Sequence, residues 1–159
     1  MKNPGVRRDR SSEPGETSAL PRHTSAAPAK KRVLFVCVGN SCRSQMAEGF
    51  ARAYGSDVME VQSAGLAPAT IIAPLTRQTL SERNISIDDQ FPKGLDLFAR
   101  RPFDLVINMS GGPLHLPGAR VIDWTVPDPI GLPQAVYHAV AIQIESLVMR
   151  LILEFRSKT

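Results

Sequence analysis

Two cysteines and an arginine lie within seven residues of one another, and the 159-residue chain has no other cysteine. They form a C-x5-R pattern in the segment VCVGNSCRSQMAEGF, where Cys37 and Cys42 are followed by Arg43 and Ser44. A guanidinium group binds a tetrahedral oxyanion through paired hydrogen bonds. A cysteine in such a positive field becomes a nucleophile, because its thiol pKa falls from about 8.5 to roughly 3.5–7.5. The segment therefore predicts thiolate attack on a phosphate-like oxyanion.

The residues between the cysteine and the arginine are suited to a phosphate-binding loop. A turn from a strand into a helix directs consecutive backbone N–H groups to one place, at the positive end of the helix dipole. Gly39 and Asn40 tolerate the unusual backbone angles that such a loop requires. The Ser44 hydroxyl is expected to donate a hydrogen bond to the Cys37 thiolate. The predicted oxyanion-binding residues are Val38, Gly39, Asn40, Ser41, Cys42, Arg43 and Ser44.

A carboxyl group opposite the thiolate would complete the site for ester hydrolysis, because the leaving oxygen needs a proton. The candidate is Asp128 in WTVPDPIG, a proline-flanked loop that follows the last predicted strand. Asp123 is the rival, but it lies within that strand and is expected to face the backbone or Arg120. We therefore predict that Asp128 is the general acid.

The order of apolar segments predicts the sheet that positions these residues. Alternating strands and helices indicate an α/β fold, in which a short parallel sheet has helices on both faces. Ligands of such folds bind at the carboxyl ends of the strands, and the loop directly follows the first predicted strand. The predicted elements are strand 32–37, helix 45–55, strand 58–65, helix 73–84, short helix 94–101, strand 103–110, strand 119–124 and a long helix 133–155.

The first 30 residues differ in composition from the rest of the chain. They are rich in Pro, Ser, Ala and Arg, and they carry six Lys or Arg against three acids; residues 31–159 carry thirteen against twelve. We predict a disordered tail over 1–30, or a start codon placed too far upstream, and one domain over 31–159. The near-neutral domain predicts no nucleic-acid partner. No membrane-spanning run or secretory signal is recognised, so a cytoplasmic protein is expected.

The motifs together resemble one family. VLFVCVGNSCRSQMAEG resembles the active-site loop of the low-molecular-weight protein tyrosine phosphatases and the related thiol-linked arsenate reductases. SAG at 63–65 and DP at 128–129 follow in the same order. The resemblance implies a four-stranded parallel sheet in three layers, with Cys37 as nucleophile, Arg43 as phosphate-binding residue and Asp128 as general acid. It also implies that Asn40, Ser44 and Ser63 support the loop through hydrogen bonds.

Two branches of the family stay open. Phosphatases usually carry aromatic residues after Asp-Pro, where this chain has Ile130 and Gly131. Gln45 and Trp124 resemble the reductase branch, but Ser110 stands where thioredoxin-coupled reductases have their first relay cysteine. We predict a phosphatase that acts through a phosphocysteine on a phosphorylated protein or a small phosphate ester. The alternative is an arsenate reductase in which an external small thiol or a glutaredoxin-like partner acts on Cys37. A protein that only binds the oxyanion is a third hypothesis, although it would need no nucleophile.

The second cysteine has two interpretations. Cys42 is either a buried structural thiol or, as the resemblance implies, the partner of Cys37 in a reversible disulfide that protects the nucleophile. His23, His115 and His138 show no metal-ligand spacing, and the cysteine pair has no second pair of ligands beside it. We therefore expect no metal and no other cofactor.

Overall fold

The computed structural model describes residues 29–158, so the predicted tail lies almost wholly outside the described residues. All predicted elements are present. The elements are β1 Lys31–Cys37, α1 Arg43–Gly55, β2 Met59–Gly65, α2 Pro74–Ser81, a 3₁₀-helix Leu95–Phe98, β3 Leu105–Asn108, β4 Arg120–Asp123 and α3 Gln134–Ser157. β1, α1 and α3 are one or two residues longer than expected, and the other five are one to four residues shorter.

The four strands form one parallel sheet in the order β2-β1-β3-β4. β1 lies inside the sheet. The chain first adds β2 on one side of β1, and it later adds β3 and β4 on the other side. At the carboxyl end of β1, Cys37 pairs with Gly65 of β2, and Val36 pairs with Asn108 of β3. This topological switch point is the place where open α/β sheets bind ligands. The predicted parallel α/β fold is confirmed.

Alternating residues of β1 divide the core between the two faces of the sheet, as the two-residue period of a strand requires. Val33, Phe35 and Cys37 face a large apolar cluster that includes side chains of α1, α2 and α3. Leu34 and Val36 face a smaller cluster with Phe98, Phe103 and Val106. The second face is thus covered by the short 3₁₀-helix and adjoining loops, a thinner layer than the three helices opposite.

Helix boundaries differ from the prediction for local reasons. α1 begins at Arg43, two residues early, so the loop passes directly into the helix. α2 begins with Pro74 at its first turn, as expected of proline. It ends at Ser81 because the chain then turns through Asn84, whose φ is 61°, and the N–H of Ile85 bonds back to the Leu80 carbonyl.

The last helix, α3, closes the domain. Its buried residues include Val140, Ile144 and Val148, at helical spacing, and they join the large cluster. Among the described helices, α3 alone is long and apolar enough to span a membrane. No such segment was expected from the sequence. Core helices meet the same criteria, and α3 packs against α1 and α2.

Candidate active site

The loop after β1 is held from outside by the segment that follows β2. Backbone N–H groups of this segment donate to the loop carbonyls: Leu66 to Cys37 (3.1 Å), Ala67 to Val38 (2.8 Å), Ala69 to Gly39 (2.8 Å) and Ala73 to Ser41 (3.0 Å). In a trans peptide the N–H points opposite to the C=O. The N–H groups that follow these carbonyls therefore face the inside of the loop, as an anion cradle requires.

The cradle opens onto the free N-terminus of α1. Cys42 occupies the N-cap position without a side-chain capping hydrogen bond, and the first turn of α1 contains no acidic residue. The first N–H groups of a helix have no partner within it, and the helix dipole makes this end positive. Both features favour an anion in front of Arg43.

The predicted nucleophile and its predicted hydroxyl donor are in contact. Cys37 is the last residue of β1 and only 2% of it is exposed. Its Sγ lies 2.9 Å from Oγ of Ser44. A hydroxyl that donates to a thiolate stabilises the charged form of the sulfur.

Asn40 supports the loop from beneath, as predicted. Its Nδ2 donates to Oγ of Ser44 (2.8 Å) and to Oγ of Ser63 (2.9 Å). Its φ is 48°, in the left-handed region that asparagine tolerates. Gly39 was expected to need similar freedom, but it is not among the positive-φ glycines. That part of the prediction is wrong, because the loop makes its left-handed turn at Asn40 alone.

Gly65 is the last residue of the SAG motif, and its close contacts with the loop explain why this position is glycine. A Cβ atom at this position would lie 2.7 Å from the carbonyl oxygen of Val38 and 2.9 Å from the backbone N of Asn40. Both contacts are closer than real Cβ atoms make. The close approach of β2 to the loop therefore requires glycine.

Arg43 connects the loop to the ends of β3 and β4. Its Nη1 donates to the carbonyl of Met109 (2.6 Å) and to that of Val126 (3.1 Å), and the residue is 6% exposed. Its Nη2 lies 3.6 Å from Oδ2 of Asp128. The guanidinium is thus fixed by two backbone carbonyls, and the carboxyl predicted as general acid lies beside it.

The two candidate acids have different surroundings. The Asp128 side chain is about half exposed, and its Oδ1 accepts a hydrogen bond from the N–H of Ile130. Asp123 lies at the end of β4, where its Oδ1 accepts from Nδ2 of Asn108 (2.9 Å) in place of the expected backbone or Arg120 contact. Only Asp128 lies beside the arginine of the loop.

Cys42 is a free, buried thiol. Burial raises its pKa to about 12, with a smaller lowering by Thr76. The thiol is therefore protonated at neutral pH, which suits a structural role. The predicted disulfide with Cys37 stays a prediction, because both cysteines are unpaired here. Residues 29–158 contain no cluster of three potential metal ligands; His23 lies outside them.

Four buried polar residues beneath the loop were not recognised as site residues in the sequence. Gln45 donates to the backbone oxygen and Oδ1 of Asn40 (3.0 Å each), and Gln90 donates to Oε1 of Gln45 (2.9 Å). Glu48 accepts from Ser63 (3.2 Å) and lies 3.8 Å from Nζ of Lys93. Their signal was weak: Gln45 and Glu48 flank the apolar Met46 and Ala47 on a helix, and the other two lie in a loop.

A strand that ends in a thiol, a loop of inward N–H groups and a helix that begins with arginine define a class of α/β proteins built to hold a tetrahedral oxyanion beside a cysteine. The model of the low molecular weight phosphotyrosine protein phosphatase family matches residues 32–159. The chain belongs to this family.

Its relatives include both predicted branches. A glutaredoxin arsenate reductase of Synechocystis sp. is 36% identical over 127 residues, which span 77% of this chain and 96% of the relative. A solved arsenate reductase in the phosphate binding state superposes with a TM-score of 0.72 at 35% identity, covering 79% of this chain and 98% of the other. An arginine phosphatase from Geobacillus stearothermophilus has a TM-score of 0.70 at 26% identity, with coverages of 80% and 94%.

Proposed function

We propose that this protein reduces arsenate to arsenite, with Cys37 as the nucleophile and a thiol from outside the chain as the reductant. Arsenate is a tetrahedral oxyanion and suits the N–H cradle and the guanidinium of Arg43. The observation that carries the proposal is the 2.9 Å contact between Cys37 and Ser44 in this cradle. The relatives named as arsenate reductases favour this alternative over the phosphatase that we predicted first from the sequence.

The proposed reaction has three steps. The Cys37 thiolate attacks arsenic(V), one arsenate oxygen leaves as water after protonation, and a sulfur–arsenic bond forms. An external thiolate then attacks the Cys37 sulfur; the electron pair of the sulfur–arsenic bond stays on arsenic, which leaves as arsenite(III). A second external thiol attacks the resulting mixed disulfide, so that Cys37 is restored and the external disulfide carries away the two-electron oxidation.

The need for a reductant from outside the chain follows from the number of cysteines. Cys42 is the only other cysteine in the chain, and burial raises its pKa to about 12, so it is a poor attacking thiol near neutral pH. Ser110, just beyond β3, carries a hydroxyl that cannot form a disulfide. Suitable reductants are glutathione, mycothiol or a glutaredoxin-like protein.

A second candidate is hydrolysis of a phosphate monoester, on a phosphorylated protein or a small ester, and the position of Asp128 favours it. In this reaction Cys37 attacks phosphorus, and the departing oxygen takes a proton from the carboxyl group. Asp128 then deprotonates a water molecule that cleaves the phosphocysteine. A half-exposed carboxyl beside Arg43 suits both steps. In arsenate reduction the oxygen that leaves as water takes its proton from solvent, and no hydrolytic step follows.

One pair of assays separates the candidates. Arsenite formation is measured with glutathione, glutaredoxin and arsenate, and p-nitrophenyl phosphate hydrolysis is measured in parallel under reducing conditions. Cys37→Ser should abolish both activities. Asp128→Asn should lower hydrolysis by about 10²–10⁴-fold and leave arsenite formation nearly unchanged, and Asp123→Asn is the matched control. Hydrolysis without arsenite formation, in the presence of glutathione, mycothiol or glutaredoxin, would move the assignment to the phosphatase branch.

A further inference from the structure

A buried ion pair lies beneath the loop and takes no part in the proposed chemistry. Glu48 of α1 and Lys93 have side chains that are 1% and 7% exposed, and Oε1 of Glu48 lies 3.8 Å from Nζ of Lys93. Both residues line a cavity of about 270 Å³. Ser63 of the neighbouring strand β2 donates a hydrogen bond to Glu48. Burying two charges is costly unless they are paired and hydrogen-bonded. The position of this pair therefore needs an explanation.

Hydrogen bonds connect the pair to the nucleophile, and their direction is fixed. Oδ1 of Asn40 accepts from the backbone N–H of Lys93 (3.0 Å) and from Nε2 of Gln45 (3.0 Å). Its Nδ2 must therefore be the group that donates to Ser44 and Ser63.

Each serine has one hydrogen left to donate. Oγ of Ser63 receives the amide hydrogen of Asn40, so its own hydrogen goes to Oε1 of Glu48 (3.2 Å). Oγ of Ser44 likewise receives from Asn40, so its hydrogen is free for the sulfur of Cys37 (2.9 Å). One series of hydrogen bonds therefore runs from Asn40 through Ser63 to the Glu48 carboxylate. The other runs from Asn40 through Ser44 to the Cys37 sulfur.

This arrangement requires that the side-chain oxygen at position 48 accept the Ser63 hydrogen, which a carboxyl group does when it is ionised. A charged Glu48 only accepts hydrogen bonds, whereas a protonated Glu48 would donate to the oxygen of Ser63 and leave the serine hydrogen without its acceptor. Burial holds the pKa of Glu48 above its usual value, and the nearby cations of Lys93 and, more weakly, Arg52 offset part of that rise. Without Lys93 the carboxyl would lose its main cationic partner.

We propose that Lys93 and Glu48 are positioning residues, which hold Asn40 and the two serines in the one arrangement that directs the Ser44 hydrogen to the Cys37 sulfur. The ammonium group of Lys93 supplies the positive charge that keeps the Glu48 carboxylate ionised. The inference requires Cys37 as the nucleophile of the proposed function, but it does not depend on which oxyanion is attacked.

Other charged groups surround both ends of the network. Arg52 of α1 lies 3.7 Å from Glu48 and also 3.7 Å from Asp89 of the loop before Lys93. At the thiol end the ionisable neighbours are Cys42 at the N-cap of α1, Arg43 of α1, Asp128 of the loop after β4 and Tyr137 of α3. Because the test below changes none of these groups, they act equally in every variant.

The test is the pH dependence of Cys37 alkylation by iodoacetamide, followed by peptide mass spectrometry. Lys93→Met should move the midpoint upward by about one pH unit or more, which is about tenfold slower alkylation at a given pH below the parent's midpoint. Lys93→Arg should restore at least half of this shift. Arg101→Met is the matched control, because Arg101 lines the same cavity but stacks on the Phe98 ring.

The double variant Lys93→Met/Glu48→Gln tests the mechanism of the effect. A glutamine oxygen still accepts from Ser63 and needs no cation, so the midpoint should return to within about 0.3 units of the parent. A Lys93→Met midpoint that does not move, an equal shift in Arg101→Met, or a double variant as displaced as the single one would overturn the proposal. Should Lys93→Met fail to fold, Lys93→Gln carries the same expectation, since it keeps a donor without charge.

Alkylation needs neither arsenate nor a reductant, so the two proposals fail separately. Absence of arsenite formation with the expected alkylation shift would refute the proposed function alone. Arsenite formation by the parent, together with an unchanged Lys93→Met midpoint, would refute the positioning role alone.

Discussion

Substitution of Gly65 by alanine tests whether the close contact between β2 and the loop sets the geometry of the cradle. The new Cβ would lie 2.7 Å from the Val38 oxygen, 2.9 Å from the Asn40 nitrogen and 3.0 Å from the Asn40 Cβ. Ordinary contacts begin at 3.4 Å, so the loop backbone must move by several tenths of an ångström. Overpacking of this kind costs about 1–3 kcal/mol of folding free energy.

The same displacement should weaken anion binding more than folding. A hydrogen bond to a charged group contributes about 1.5–3 kcal/mol, and about 1.4 kcal/mol corresponds to a factor of ten in affinity. Loss of one inward N–H contact in Gly65→Ala should therefore raise the dissociation constant of inorganic phosphate by about 10- to 100-fold. Isothermal titration calorimetry measures the affinity, and urea unfolding measures the stability.

Gly55→Ala is the matched control for this experiment. Its Cβ would lie 2.7 Å from Cγ1 of Ile152, which is an equally short contact. Here, however, the neighbour is a flexible side chain rather than the loop backbone, and Gly55 is the last residue of α1. At 1.5 Å per residue this position lies about 18 Å along the helix from Arg43. Gly55→Ala should alter stability and leave phosphate affinity within about twofold. A folded Gly65→Ala protein that binds phosphate as tightly as the parent would refute the reasoning.

Two further predictions concern the buried thiol and the core. Because burial raises the pKa of Cys42 to about 12, its thiolate fraction grows only as the pH approaches that value, so iodoacetamide at about pH 8 should label Cys37 alone. Peptide mass spectrometry checks this, and modified Cys42 in the folded protein would contradict it. Ile144→Ala should lower the free energy of unfolding by about 2–5 kcal/mol, whereas Ile142→Ala should change it by less than about 0.5 kcal/mol. Ile144 is fully buried and Ile142 is 57% exposed, so equal losses in urea unfolding would contradict the assigned orientation of α3.

The fold was largely predictable because its sequence signals are local. β1 is a continuous apolar run between charged and polar residues, and α3 repeats apolar residues at helical spacing, so type and order of these elements could be assigned from the sequence alone. The end of α2 was less predictable, since the apolar spacing does not show the left-handed turn at Asn84 or the hydrogen bond from Ile85 back to Leu80. Likewise, the cover of the second face by a 3₁₀-helix and loops depends on long-range packing.

The sequence by itself determined the chemistry that this site can offer: a thiol, an arginine six residues beyond it, and a loop between strand and helix, all within one short segment of the chain. It also directed attention to Ser44, Asn40 and Ser63, which the structure joins by hydrogen bonds. Local spacing suffices for Asn40 and Ser44, because both lie in the strand–loop–helix turn, whereas Ser63 reaches them only through the pairing of β2 with β1.

Only the tertiary structure decided what surrounds that segment. It placed the carbonyls of Met109 and Val126 against Arg43, from positions 66 and 83 residues away. It also placed Lys93 opposite Glu48, 45 residues apart along the chain, with both side chains buried. A lysine in a polar loop and a glutamate on a helix carry no sequence signal of burial, because the cost of burying each charge is offset by partners that only folding brings together.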